Sequence, residues 1–294
     1  MNQSKLQLIL EQEGIQEFKD DIRTFSKKKL LNFFSASSSG KAKAALIIKN
    51  QIWQTFQWIQ NGKHPLIEGN LRSYWYSHLK PTLARVDLLS AHDHYQTMLE
   101  IFVELVKTHK LFRYSDFGFD DEHWENRRIA TKLFNVILFA EKAGWLRTLK
   151  EFHENYGMNI VVLGGTPSLL STEYFVQHLS QVASLDQKFY LISAVDYDPA
   201  GAIIEGAFIE QLQSQGIQKI EIIPAVSLEQ YTQEEIDLFK FPIPEKQATK
   251  TKKWLDATNG IQGKPFGLEA DSLPRERYKQ IVKDKLKTIP IERR

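Results

Sequence analysis

FYLISAVDYDPAG, from Phe189 to Gly201, is an apolar run that ends in two acids and a turn. Seven residues, Phe189 to Val195, are aromatic, aliphatic or small, with no alternation of polar and apolar positions. A strand of that kind belongs to a parallel sheet covered by helices on both faces. Asp196 and Asp198 follow directly. In an extended chain residues two apart point the same way, so both carboxylates face one point beyond the strand. Pro199 and Gly201 then turn the chain into a helix expected over Ile203–Gln213. Three further runs have the same character: VILFA (Val136–Ala140), IVVLG (Ile160–Gly164) and IEIIPA (Ile220–Ala225). They alternate with amphipathic stretches, which predicts an α/β domain with a Rossmann-like parallel sheet. The tail after Pro242 is mixed, with one helix expected from Pro274 to Leu286.

Upstream the grammar differs. Apolar residues recur at helical spacing in Lys5–Leu31, in Lys41–Gln60, in Leu71–Leu79 and in Tyr95–Thr108. The small-residue stretch Ser35–Gly40 reads as a loop, and LFRYSDFGF (Leu111–Phe119) as a short hairpin. Helices followed by a hairpin are the order of a winged helix. The expected division is a helical, winged-helix domain over residues 1–125 and an α/β domain over 126–294.

The chain has 294 residues, enough for roughly two domains. It has no cysteine, which excludes a disulfide scaffold, thiolate metal sites and cysteine nucleophiles. No run reaches the ~20 apolar residues of a membrane span, and MNQSKLQLILEQEG lacks a secretory apolar core, so a soluble cytoplasmic protein is expected. The 38 Lys and Arg against 36 Asp and Glu hide an uneven distribution. No acid occurs from Ile22 to Ile67, where Arg23, Lys27, Lys28, Lys29, Lys41, Lys43, Lys49 and Lys63 all lie. The segment Asp271–Arg294 holds eight basic residues and four acids. Such stretches permit contact with a polyanion. Asp116, Asp120, Asp121, Glu122 and Glu125 form an acidic knot at the expected domain boundary.

Glu141 ends the Val136–Ala140 strand as Asp196 and Asp198 end theirs. In open parallel sheets functional groups collect at the carboxyl ends of strands, so the three converge if their strands are neighbours. A lone Asp-x-Asp is often turn chemistry, with an Asp capping the next helix. Joined to Glu141, the set is better read as hard oxygen ligands for Mg²⁺.

The order strand–Glu–Lys, strand–Gly–Gly–x–Pro–Ser, strand–Asp–x–Asp–Pro–x–Gly resembles the TOPRIM domain of topoisomerases, primases and certain nucleases. Asp198-Pro199-Ala200-Gly201, Gly164–Ser168 followed by Ser171-Thr172-Glu173, and Gly267–Leu273 are similar to segments of the topoisomerase VI A subunit and the related transesterase that makes meiotic double-strand breaks. Tyr197 stands where a small or acidic residue is more familiar, and the Gly-rich turn lacks a basic residue. The likeness implies Mg²⁺ at Glu141, Asp196 and Asp198. It also implies an upstream Arg-x-x-aromatic-Tyr motif, which Arg72-Ser73-Tyr74-Trp75-Tyr76 matches. Tyr76 is then the nucleophile that forms a phosphotyrosyl bond with duplex DNA, with Tyr74 as its rival, and Arg72 positions the phosphate. Retention of the bond energy in that linkage allows resealing. A homodimer in which one subunit's Tyr works with the other's metal site, an ATPase B-type subunit on a separate chain and association with the nucleoid are likewise implied.

Two other readings remain open at this point: a TOPRIM metal nuclease that hydrolyses DNA with water, and a non-catalytic DNA-binding assembly subunit. Ser39-Gly40-Lys41-Ala42 lacks the earlier Gly and the Ser/Thr of a P-loop and reads as a loop. His92-Asp93-His94 reads as a helix cap flanked by surface histidines, and Asp120–His123 as an exposed turn.

Overall fold

The computed structural model describes residues 2–34, 40–89, 94–244 and 248–290. Ser35–Ser39, with the loop and the start of the P-loop-like tetrapeptide assigned there, and His92 and Asp93 of the metal-like triplet lie outside the described residues. Two compact units emerge, Met1–Asp121 and Glu122–Arg294, and the division falls within the acidic knot.

The first unit is helical: α1 (Gln3–Gln12), α2 (Lys27–Phe33), α3 (Gly40–Gln60), α4 (Leu71–Tyr74), α5 (Lys80–Arg85) and α6 (His94–Val103). The continuous helical stretch expected over Lys5–Leu31 is broken. Gly14 takes a left-handed conformation after α1, with φ 64°. The chain from there to α2 is fastened by side chains of α3 instead of by its own turns. Asn50 accepts from the Gln16 amide at 2.8 Å and donates to the Gly14 carbonyl at 3.0 Å. Gln54 accepts from Ile22 at 3.0 Å and donates to Asp20 at 2.7 Å. Both amides are buried, so their bonding capacity is spent on backbone groups that helix would otherwise have satisfied.

The hairpin expected over Leu111–Phe119 is also absent; Tyr114–Asp116 is a 3₁₀ turn. Strand alternation would have sent half of these side chains to solvent. Instead Phe112, Tyr114, Phe117 and Phe119 are all buried, in an aromatic cluster with Tyr74 and Phe102. The Phe117 and Phe119 rings stack 5.3 Å apart, which the positive φ of 81° at Gly118 between them permits.

The second unit is α/β, with a mostly parallel sheet of β1 (Arg127–Arg128), β2 (Leu133–Ala140), β3 (Met158–Val162), β4 (Phe189–Ala194) and β5 (Ile220–Pro224). The spatial order is β1-β3-β2-β4-β5, with only β1 antiparallel. Successive connections therefore leave β2 towards β3 on one side, and run from β4 to β5 on the other. The switch point lies between β2 and β4, where doubly wound sheets open a crevice. Helices α7 (Leu146–Tyr156), α8 (Leu169–Ser180), α9 (Pro199–Ser214), α10 (Gln233–Phe239), α11 (Ala248–Thr258) and α12 (Arg275–Thr288) complete the unit, with a small pair β6 (Phe241–Pro242) and β7 (Phe266–Gly267).

Both sheet faces are covered. Val136, Leu138 and Ala140 share a core with Trp145, Leu149 and Phe152 near or on α7, and with Tyr278 and Val282 of α12. Ile137 and Phe139, pointing the other way, pack with Phe175 and Leu179 of α8 and Phe208 and Leu212 of α9. This double burial explains the continuously apolar β2, β3 and β4, whereas β5, at the sheet edge, is partly exposed.

One irregularity is built in. The β2–β3 register jumps from Leu133 opposite Met158 to Ile137 opposite Asn159. The fully buried Asn159 side chain covers the gap: it donates to the carbonyls of Phe134 and Val136 at 2.8 and 3.0 Å and accepts from the Ala130 amide at 2.9 Å. Asn159→Ala leaves these groups buried without partners, each at a cost of about 1–3 kcal/mol. Equilibrium urea unfolding should show a loss of roughly 2–4 kcal/mol, whereas a loss below about 0.5 kcal/mol would mean that water replaces the amide without penalty.

Candidate functional site

Glu141 and Asp196 flank the switch point. Ala140 of β2 is the register partner of Ala194 in β4, so the two strands end level. Glu141 is the next residue after β2; its carbonyl accepts from Gly165 at 3.1 Å, which ties in the Gly-rich turn. Gly164 and Gly165 both have positive φ, 69° and 119°, so this turn requires glycine. Oxygen Oε2 of Glu141 is buried and makes no hydrogen bond. Burial, then the charges of Asp196 and Asp198, push the Glu141 carboxyl above its ordinary range. The Asp196 backbone, near the Glu141 carboxylate, offsets a small part of this upward shift.

Asp196 is engaged on both oxygens. Oδ1 accepts from the Ala270 amide at 2.8 Å. Oδ2 lies 3.0 Å from the Lys142 ammonium, which also reaches Glu269 at 2.9 Å and Asp271 at 3.7 Å. The tail thus crosses the site, and it is held there by backbone: Tyr197 and Leu268 exchange amide–carbonyl bonds at 2.8 and 3.1 Å. Glycine permits this close approach. A Cβ on Gly267 would stand 3.0 Å from the Asp198 Cβ; separately, one on Gly201 would stand 2.1 Å from the Asp196 carbonyl oxygen, so glycine there serves the turn into α9. Tyr197, between the acids, turns the other way; its ring meets Trp254 edge-on at 5.2 Å. Beyond the tail, Arg275 pairs with Asp271 at 2.7 Å and lies over the Trp145 ring at 3.4 Å.

Asp198 caps α9, accepting from Gly201 at 2.7 Å. Capping thus falls to the second aspartate, and Asp196 is left to Lys142. Burial, followed by repulsion from Asp196, raises the Asp198 carboxyl as well.

The donors fit a hard cation in kind: all are carboxylate oxygens, and one of them, Glu141 Oε2, is buried without a partner. They are not gathered into a closed cage. Among the described residues, the ligand-type trio with atoms all within 4.8 Å of one another is Glu13, Glu104 and His109, in the helical unit. That trio is already bridged by Lys49, which pairs with Glu13 and, at 2.9 Å, with Glu104; His109 lies 3.0 Å from Glu13. Lys49 therefore serves the fold. Lys27 pairs with Asp87, Lys29 with Asp20 and Arg23 with Asp21, so acids from outside the Ile22–Ile67 stretch neutralise part of its charge.

In the same helical unit, Arg72, Trp75, Tyr76, Lys80, Leu89, His94 and Tyr95 line a cleft of about 320 Å³. Tyr76 is half exposed, at 49%. The Lys80 ammonium lies 4.7 Å from its ring centre and the Arg72 guanidinium 5.7 Å. The local backbone is a wide π-turn, Trp75–Leu79, in which the Lys80 amide reaches back five residues to Trp75. Pro81 accounts for it, since a proline ring clashes with the carbonyl four residues earlier in a regular helix. Tyr74 has the opposite environment. It is fully buried, donates to Thr55 at 3.0 Å, and burial pushes its phenol well above the usual range. His94 is buried, not at the surface, with Nε2 against the Leu88 carbonyl.

Lys142, Glu269 and Asp271 lie within the sequence segments that carry the resemblance but receive no role there, and Lys80 lies outside every motif. The available signals were the adjacency of Lys142 to Glu141 and the Glu-x-Asp spacing in the tail. No family model matches the chain, and no curated protein matches it either.

Because the folded state disfavours the charged forms of Glu141 and Asp198, each of these two groups costs stability as pH rises above its ordinary value, near 4.5 for Glu141 and 3.8 for Asp198. Glu141→Gln should therefore be more stable than the wild type at pH 7, by up to about 1 kcal/mol given the solvent access of the site, and the gain should vanish below pH 4. Thermal unfolding at both values checks this; equal destabilisation at both would show that the carboxylate is held by contacts its charge does not oppose.

Proposed function

We propose that the chain cleaves duplex DNA by tyrosine transesterification, as a topoisomerase VI A-like protein. In this reading the α/β unit is a TOPRIM-type domain, and the helical unit is the DNA-binding half, related to a winged helix but without the expected hairpin. What carries the reading is the pairing of an exposed phenol, Tyr76, with two cations, Arg72 and Lys80, in one cleft. The burial of Tyr74 favours Tyr76 over it as the nucleophile in this reading.

The phenol oxygen of Tyr76 attacks the phosphorus, the phenol gives up its proton, and the bond to one sugar oxygen breaks. The product is a phosphotyrosyl ester and a free sugar hydroxyl, so reversal by that hydroxyl restores the strand. Arg72 and Lys80 offset charge on the phosphate oxygens, where a forked guanidinium adds orientation. Glu141 and Asp196, with Asp198 beside them, would hold Mg²⁺, which when bound neutralises charge at the scissile phosphate. A homodimer and a separate ATPase subunit follow from the same reading. No described helix is long and apolar enough to cross a membrane.

The test is a covalent protein–DNA adduct trapped by denaturation in the presence of Mg²⁺ and mapped by peptide. It should form with the wild type, be lost in Tyr76→Phe, and persist in Tyr74→Phe, which gives up only the bond to Thr55 at about 1 kcal/mol of stability. Arg72→Ala should lower adduct yield by about tenfold or more. Metal-dependent cleavage that survives both tyrosine substitutions would instead assign hydrolysis to the carboxylate site. Absence of cleavage, with duplex binding unaffected by Asp196→Ala, would assign an assembly role.

A further inference from the structure

The carboxylate site contains a cation of its own. Lys142 follows Glu141 at the end of β2 and carries its ammonium to Asp196 and Glu269 at 3.0 and 2.9 Å, with Asp271 at 3.7 Å. Two further groups face this cluster: Asp198, whose charge acts on Glu141, and Arg275, which is committed to Asp271 and the Trp145 ring. Five carboxylates are thus set against two cations, and only Lys142 reaches Asp196. Without it, Asp196 would be left beside Glu141 with no counter-charge, which carboxylates in a partly dry site do not tolerate.

Lys142 also sits at a carboxylate oxygen suited to a metal. Asp196 Oδ1 already accepts from the Ala270 amide and Oδ2 faces the Lys142 ammonium, so a divalent ion ligating Asp196 through Oδ2 meets that ammonium. An ammonium and a divalent ion cannot share that position. The lysine is suited to leave: its side chain is 28% exposed and its four-carbon stem is flexible.

We propose that Lys142 is the resident counter-ion of the carboxylate site, and that a divalent cation enters by displacing its ammonium to solvent. The inference rests on the metal-binding reading of Glu141 and Asp196. It makes the lysine a positioning residue with two states. In the metal-free state it joins the strand end to the tail, and in the metal-bound state it is an exposed cation at the rim.

Two measurements on the full chain test it. Mn²⁺ binding, followed by electron paramagnetic resonance, should be about tenfold tighter in Lys142→Gln than in the wild type, since removing the competitor removes its coupling free energy. Asp196→Asn should abolish binding. Acylation of the wild-type protein with an amine-reactive reagent, mapped by mass spectrometry, should find Lys142 protected without metal and exposed when Mg²⁺ is added. Equal or weaker Mn²⁺ affinity in Lys142→Gln, with binding still lost in Asp196→Asn, overturns the counter-ion role and leaves the metal reading standing. Unchanged protection of Lys142 at saturating metal overturns it without recourse to any variant. No Mn²⁺ binding by either the wild type or Lys142→Gln removes both.

Discussion

Like charges placed at the ends of adjacent parallel strands are the constraint around which the α/β unit is arranged. Ala140 and Ala194 face each other across β2 and β4, so Glu141 and the Asp196–Asp198 run leave the sheet side by side. Neighbouring carboxylates repel, and more strongly where burial lowers the effective dielectric constant. Several neighbouring features answer that cost. Helix α9 receives Asp198 as its cap, and Lys142 sits against Asp196. The two glycines of the turn after β3 let the backbone close on the Glu141 carbonyl.

The tail belongs to the same solution. From Gly267 to Asp271 it crosses Asp196–Asp198 through paired backbone bonds, and it contributes Glu269 and Asp271 to the lysine. Adding acids to an acidic site looks unfavourable, yet these two hold the ammonium that Asp196 requires. Steric space sets the limit. Gly267 stands where a side chain would meet Phe241, Asp198 and the Tyr197 carbonyl, so the tail crosses at close range there. Trp145 and Tyr278, packed edge-on at 4.4 Å beneath, anchor α12 and with it the end of the tail.

Much of this was legible in the sequence because it depends on local pattern. The four apolar runs became β2 to β5, of which β2, β3 and β4 are largely buried while the edge strand β5 is partly exposed, and Lys41–Gln60 and Pro274–Leu286 became α3 and α12 with ends shifted by one or two residues. The adjacency of β2 and β4, on which the meeting of Glu141 with Asp196 depended, was a condition the sequence alone left open. Features set by distant partners were misread. Nothing near Gly14–Ile22 announces that Asn50 and Gln54 will take over its backbone bonds, and the alternation in Leu111–Phe119 gave way to one shared aromatic core. The basic stretch looked free because its acids, Glu13, Asp20, Asp21, Asp87 and Glu104, lie outside it. Lys142 was passed over for the same reason: its partners are more than fifty residues away in the chain.

The tyrosines illustrate how a single backbone irregularity sorts chemistry from packing. Tyr74, Trp75 and Tyr76 cannot share one helix face, and sequence alone does not say which of them turns outward. Tyr74 is claimed by Thr55 and by the rings of Phe102, Phe117 and Phe119, a set too apolar and too dry for a phenolate. Trp75 is buried as well. The π-turn that Pro81 imposes widens the helix at the next step, and Tyr76 emerges beside Lys80 and Arg72. Solvent access and nearby positive charge distinguish the environment of Tyr76 from that of Tyr74 and Trp75, which are packed into the core.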